Sequence, residues 1–240
     1  MAVDRARTRR PTLGGGGEEA LAAASCPLLD RFPELSGRIP HVSLGAGPSP
    51  VSRLNRLSSA VDGDIWLKND GLYGTVYGGN KPRKLEFMLA DALDKGARTV
   101  ITTGALGTNH GLATALYGRQ LGLEVVLLLT YEEPGPEIAE RLCELHTAGA
   151  RLHYTRSLPL TFASLPYFML RYRSGGRAPY FLGPGASTPL GALGYVSAAL
   201  ELAEQVRAGD LPAPRTIIVP AGTGGTATTG QFVEAILSEL

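Results

Sequence analysis

The chain has 240 residues, enough for one large domain or two small ones. With 44% hydrophobic residues, 19% charged residues and a formal net charge of +1, it offers no electrostatic reason to expect nucleic acid or an anionic membrane as a partner. No run approaches the ~18–20 consecutive apolar residues of a transmembrane helix. Its two cysteines, Cys26 and Cys143, lie outside any CxxC or His-rich cluster, which argues against a disulfide framework and a zinc site.

In chain order, Arg9-Arg10 superficially resembles a twin-arginine signal, but Gly14 to Gly17, Glu18 and Glu19 follow where an apolar segment would be required. Residues 1–30 are therefore expected to be a flexible tail, and the protein cytoplasmic. Arg38 to Pro50 is rich in Gly, Pro and Ser and reads as a surface loop. Ile65 to Lys68 reads as a strand, followed by a turn-rich loop from Asn69 to Gly79. A helix is expected from Asn80, with Leu85, Met88, Leu89, Ala92 and Leu93 as its apolar stripe and Gly96 at its end. The alternation continues with a strand at Thr99–Thr103, a helix over Asn109–Leu121 and a buried strand at Glu124–Thr130. Then come a helix at Pro136–Ala148, a strand at Arg151–Tyr154, a helix at Leu160–Tyr172 and a short strand at Tyr180–Leu182. Leu193, Val196, Leu200 and Ala203 mark a further helix, Arg215–Pro220 a strand, and Thr226 the start of a final helix. Such alternation predicts an α/β fold with parallel sheets, in which ligands bind beyond the carboxyl ends of the strands.

Three turns carry unusual chemistry. In the first, Gly78-Gly79-Asn80-Lys81-Pro82-Arg83-Lys84, cations crowd a helix start, where the dipole disfavours them unless an anion such as phosphate joins them. Lys81 and Lys84 share one side of that helix, and crowding by cations lowers an amine pKa toward the neutral form that attacks carbonyls. In the second turn, Gly104 to His110, Thr108 or Asn109 can cap a helix or face a substrate carboxylate; His110 alone is not counted as catalytic. The third, Gly222-Thr223-Gly224-Gly225-Thr226, is a phosphate cradle of backbone N–H groups and hydroxyls. Gly222, Gly224 and Ala227 also satisfy a dinucleotide-type glycine spacing, which keeps a nucleotide-binding oxidoreductase open as an alternative.

Together these turns resemble the fold-type II pyridoxal-phosphate enzymes, and more narrowly the 1-aminocyclopropane-1-carboxylate deaminase and D-cysteine desulfhydrase family. Gly78 to Phe87 resembles the family's cofactor-lysine motif, Gly191-Ala192-Leu193-Gly194-Tyr195 another family segment, and Gly222 to Thr226 its phosphate loop. The resemblance implies an α/β, tryptophan synthase β-like architecture of two open parallel-sheet domains. The larger, over 31–95 and 184–240, is incomplete in this sequence; the smaller spans 96–183. It implies pyridoxal 5'-phosphate as cofactor, Lys81 as the residue that carries it, and Lys84 near its phosphate. Asn109 then stands beside the pyridine 3-oxygen, Thr108 contacts substrate and assists proton transfer, and Gly222, Thr223, Gly224, Gly225 and Thr226 hold the phosphate. The implied reaction is a lyase or deaminase reaction on a small amino acid, of D-cysteine or 1-aminocyclopropane-1-carboxylate type, releasing ammonia and a 2-oxo acid. Homo-oligomers are common in the family.

Two departures stand out. Gly107 and Thr108 occupy positions where the family commonly has glutamine and serine, and Leu112 and Ala113 replace arginine and glutamine. Family members also continue for about 80–100 residues, a further domain half. That departure suggests a fragment or a truncated, catalytically impaired member.

Overall fold

A computed structural model describes residues 25–219. The elements run α1 (Pro27–Arg31), β1 (Val51–Arg53), α2 (Asn55–Ala60), β2 (Trp66–Lys68), α3 (Asn80–Asp94), β3 (Thr99–Ala105) and α4 (Asn109–Gln120). They continue β4 (Glu124–Thr130), α5 (Pro136–Thr147), β5 (Arg151–Arg156), α6 (Leu158–Arg171), β6 (Tyr180–Leu182) and α7 (Pro189–Ala208).

β3 to β6 form one parallel sheet in the order β5-β4-β3-β6. The apolar run of β4 arises because both its faces are covered. Val125, Leu127 and Leu129 pack with Leu112 and Ala115 of α4 and Leu145 of α5, while Val126 and Leu128 pack with Phe168 of α6. A strand buried on both faces has no polar side to alternate with. The chain steps outward from β3 through β4 to β5, then returns to place β6 on the other side of β3. The order therefore reverses between β3 and β6, and a crevice at their carboxyl ends is where such sheets take ligands.

α3 enters this core through Leu85, Met88, Leu89 and Ala92, which pack with Val100, Ala113 and Tyr117; Leu93, expected in the same stripe, is 38% exposed. Behind it lies α7, where Leu193, Val196 and Leu200 pack on Phe87 together with Cys26 and Leu28. In the segments assigned to the larger domain, the strands among the described residues are β1 and β2, an antiparallel pair.

Two expectations are corrected. The tail over 1–30 does not reach residue 30: Pro27–Arg31 is helical, and Cys26 and Leu28 are buried against α7 because they supply apolar surface that α7 lacks a partner for. Residues 1–24 lie outside the described residues. The strand expected at Arg215–Pro220 is also not formed over 215–219, where Ile218 is 90% exposed. A strand exists only as part of a ladder, and no strand among the described residues lies beside this segment. The turn Gly222 to Thr226 and the helix expected after it lie outside the described residues.

Candidate active site

The first turn of α3 is built by close backbone approaches. Gly79 opens the helix at φ 90°, a left-handed value that favours glycine, and its N–H donates to the Asp70 carbonyl at 2.7 Å. A Cβ on Gly78 would collide with the backbone of Gly71. On the opposite side, a Cβ on Gly194 of α7 would stand well under 3.0 Å from the carbonyl of Arg83. The Gly191–Tyr195 segment is thus a surface on which the lysine-bearing turn lies.

The three cations of that turn separate. Arg83 is buried and turns toward α7, where its guanidinium donates to Glu201 (2.9 and 3.2 Å), Asp70 (2.8 and 3.1 Å) and Ser49 (3.0 Å). It also lies over the Tyr73 ring, 3.7 Å from the centroid, and Lys68 completes the cluster at Glu201. Lys81 and Lys84 are left without a carboxylate partner among the described residues. Lys84 is 1% exposed, and its amine donates to the Gly185 carbonyl and the Ser187 hydroxyl, each at 3.4 Å. Burial, then the charge of Lys81, pushes the Lys84 amine below its usual range; for Lys81 burial alone does so. The cation crowding expected at Lys81 therefore acts on Lys84 instead, since carboxylates already neutralise Arg83.

The second turn opens α4, which packs against α3. Thr108 caps α4, its hydroxyl oxygen accepting from the Gly111 N–H at 3.0 Å. The Asn109 side-chain oxygen accepts from the Tyr77 hydroxyl at 2.9 Å. Tyr117 holds Tyr77 in turn, donating to its carbonyl at 2.8 Å. The Gly107 N–H donates to a Glu132 carboxylate oxygen at 2.7 Å. A Cβ at Gly107 would meet Ile138 Cδ1 at 2.6 Å and that Glu132 oxygen at 3.1 Å, so the space where the family commonly carries glutamine is filled here from α5 and the loop before it.

His110, left out of the catalytic set on sequence, is 5% exposed. Its Nε2 lies 3.1 Å from the Thr102 hydroxyl, which gives its single proton to the Leu182 carbonyl at 2.7 Å. Thr102 can then only accept, so Nε2 carries the imidazole proton and Nδ1 is a bare acceptor. That Nδ1 is buried without a partner. Burial, then Lys81 and Lys84, pushes the imidazole down to about 3, so it is neutral at physiological pH. A lone histidine gives little signal in sequence; its isolation from other polar groups appears only in three dimensions.

The starts of these two helices thus carry a half-buried and a fully buried amine without carboxylate partners among the described residues, and a buried acceptor without a donor. This donor set suits a group with both an aldehyde and a phosphate. The family model for pyridoxal-phosphate dependent enzymes matches residues 42–230.

The chain belongs to the pyridoxal-phosphate dependent enzyme family.

Its cofactor is accordingly pyridoxal 5'-phosphate. A Pyrococcus horikoshii protein named as a putative 1-aminocyclopropane-1-carboxylate deaminase is 35% identical over 210 residues, covering 85% of this chain and 62% of its own length. A Salmonella paratyphi B D-cysteine desulfhydrase is 36% identical over 195 residues, covering 79% and 58%. The crystal structure of a 1-aminocyclopropane-1-carboxylate deaminase homologue matches with a TM-score of 0.74 at 34% identity, over 86% of this chain and 62% of that one. A threonine deaminase from T.th. shares the fold, with a TM-score of 0.64 at 19% identity over 90% and 62%. The α/β, fold-type II architecture expected from the sequence is thereby established. The chain spans about three fifths of the length of these relatives. No described helix is long and apolar enough to cross a membrane.

Proposed function

We propose that Lys81 carries pyridoxal phosphate in a lyase or deaminase that acts on a small amino acid of the D-cysteine or 1-aminocyclopropane-1-carboxylate type. The products are ammonia and a 2-oxo acid. The observation that carries this reading is the state of Lys81: a half-buried amine, pushed below its usual range by burial, with no carboxylate among the described residues to hold it charged.

Bound there, pyridoxal phosphate supplies an electron sink for charge left on the substrate carbon. The remaining work falls to the chain. Lys81 offers a neutral amine for attachment, and once released its Nζ takes or gives a proton, a role worth about 10²–10⁴-fold in such enzymes. Lys84 supplies positive charge for the phosphate from a site where Gly185 and Ser187 already hold its amine. Asn109, whose side-chain oxygen accepts from the Tyr77 hydroxyl, would stand beside the ring oxygen of the bound cofactor. Thr108 accepts from Gly111 and so keeps its own O–H free to donate toward substrate. The Gly222 to Thr226 turn serves as the phosphate loop.

In this reading residues 31–95 with 184–240 form the larger domain and 96–183 the smaller. In this proposal the protein works in the cytoplasm on a small amino acid, with no nucleic-acid or membrane partner. The test is the visible absorption band of lysine-bound pyridoxal phosphate in the purified protein. Lys81→Ala removes it and Lys84→Ala weakens cofactor retention. A Lys81→Ala protein that keeps the band refutes the assignment.

A further inference from the structure

Helix α6 is apolar on both of its sides. Its inner stripe, Leu165, Phe168 and Met169, covers Ile101, Val126 and Leu128 on one face of the parallel sheet. Its outer side has no such explanation. There Leu158, Leu160, Phe162, Tyr167 and Leu170 are 47–67% exposed, and Pro159, Ala163 and Pro166 lie exposed among them. From Leu158 to Tyr172 the sequence holds no Lys, Asp or Glu, and its one charged residue is Arg171. A surface helix normally turns a polar side to water, and one that is apolar all round is a buried helix. The outer side of α6 therefore calls for a cover.

The segments assigned to the larger domain do not supply it. α3 packs on Val100 and on α4, α7 packs on α3, and α4 with α5 covers Leu127 and Leu129. Neighbouring residues of a strand point to opposite faces of a sheet. Val100 and Leu127 thus lie on the face that takes α3, α4 and α5, while Ile101 and Leu128 lie on the face that takes α6. The outer residues stay exposed with every described element in place.

Size and composition indicate what fits. A large side chain offers about 150–250 Å², so five that are about half exposed leave roughly 400–700 Å² of apolar surface, before the prolines and Ala163 are added. The largest patch on a typical monomer is about 300–600 Å², and each partner in a standard interface contributes about 800 Å². Protein interfaces are rich in aromatic residues, Met and Arg and poor in Lys, Asp and Glu, which is the composition of this helix. A helix lying on an anionic membrane carries its cations along a polar side. α6 has no polar side, and its arginines, Arg156, Arg171 and Arg173, stand just before it and at its end. A two-fold contact requires a patch that can meet itself, and an outer side free of charge does so without burying like charges against each other.

We infer that the outer side of α6 is a self-association surface that seats the same side of a second copy of this chain about a two-fold axis. The contact lies on the sheet face away from α3, so it leaves the turn that carries Lys81 open in both copies and does not depend on the cofactor assignment.

Sedimentation velocity of the 240-residue chain across the micromolar range is expected to show a reversible monomer–dimer equilibrium. Leu170→Glu and Tyr167→Glu each bring carboxylates from both copies into the contact, and each is expected to weaken the dimer about 10–100-fold, as for residues central to an interface. Both positions are exposed, so circular dichroism should remain that of the parent chain. Leu170→Ser gives a smaller loss in the same direction without adding charge. Leu57→Glu, at an exposed apolar residue of α2, is expected to leave the equilibrium unchanged. A chain that stays monomeric throughout the range, or a dimer that survives both glutamate substitutions, overturns the inference. So does binding to vesicles of phosphatidylcholine and phosphatidylserine that the same substitutions abolish, since the face would then belong to a lipid surface.

Discussion

Gly194→Ala tests whether the family glycine in α7 exists to admit the lysine-bearing turn. Helix propensity alone favours alanine in a helix interior by about 0.8–1.0 kcal/mol. Against this, the added methyl would stand well under 3.0 Å from the carbonyl oxygen and carbon of Arg83 and 3.0 Å from the Lys84 nitrogen. All three are backbone atoms, so no rotamer change relieves the contact and α3 must move relative to α7. Overpacking of this kind costs about 1–3 kcal/mol, and its upper end applies where backbone has to shift. The net expectation is a loss of about 2 kcal/mol, or about 4–8 °C in Tm for a chain of this size. Thermal unfolding followed by circular dichroism measures it. The displaced turn carries Lys81 and Lys84, so retention of pyridoxal phosphate should weaken in parallel. A Tm that rises by the propensity term would refute the argument, because it would mean that α7 has room to spare.

Other outcomes follow from the same structure. Arg83→Met leaves Asp70 and Glu201 facing each other without their shared cation, and removal of one partner from a buried pair costs about 3–5 kcal/mol; urea unfolding should show it. His41 pairs with Glu86 at 3.8 Å: burial works against its charge, but the neighbouring Cys26 and Glu86 side chains outweigh it and raise the imidazole to about 9. A folded-state value above the unfolded 6.5 means that its stabilisation is complete below that pH and is lost as pH rises through about 9; a scan of Tm against pH should fall there, and His41→Gln should flatten the fall. Gly107→Gln, which restores the family's common residue, should destabilise by about 1–3 kcal/mol through Ile138 and Glu132, and a neutral result would show that this space can be vacated.

Much of the fold was legible because strands and helices here differ in period and length. The apolar run of β4, the stripe of α3 and the proline-started α5 were readable from spacing alone, since each reflects contacts repeated along one element. Arg215–Pro220 misled for the converse reason. Three consecutive β-branched residues favour extended backbone, but only a neighbouring strand makes a ladder. The last residues of the expected tail misled similarly, because apolar residues just after a glycine-rich stretch become a helix only by docking on α7.

For the site, the sequence by itself determined the chemistry: two amines at one helix start, a hydroxyl and an amide at another, and glycines where backbones must meet. Residue type and spacing carry that information directly. Only the tertiary structure decided which charges remain available. Arg83 is consumed by Asp70, from the segment before α3, and by Glu201, from the distant α7, and this separates it from Lys81 and Lys84. The structure likewise decided that His110 is neutral, oriented and bare at Nδ1, since its tautomer follows from a hydroxyl on β3 and a carbonyl on β6. Electrostatic state depends on burial and on partners far apart in the chain, and neither is written in local sequence.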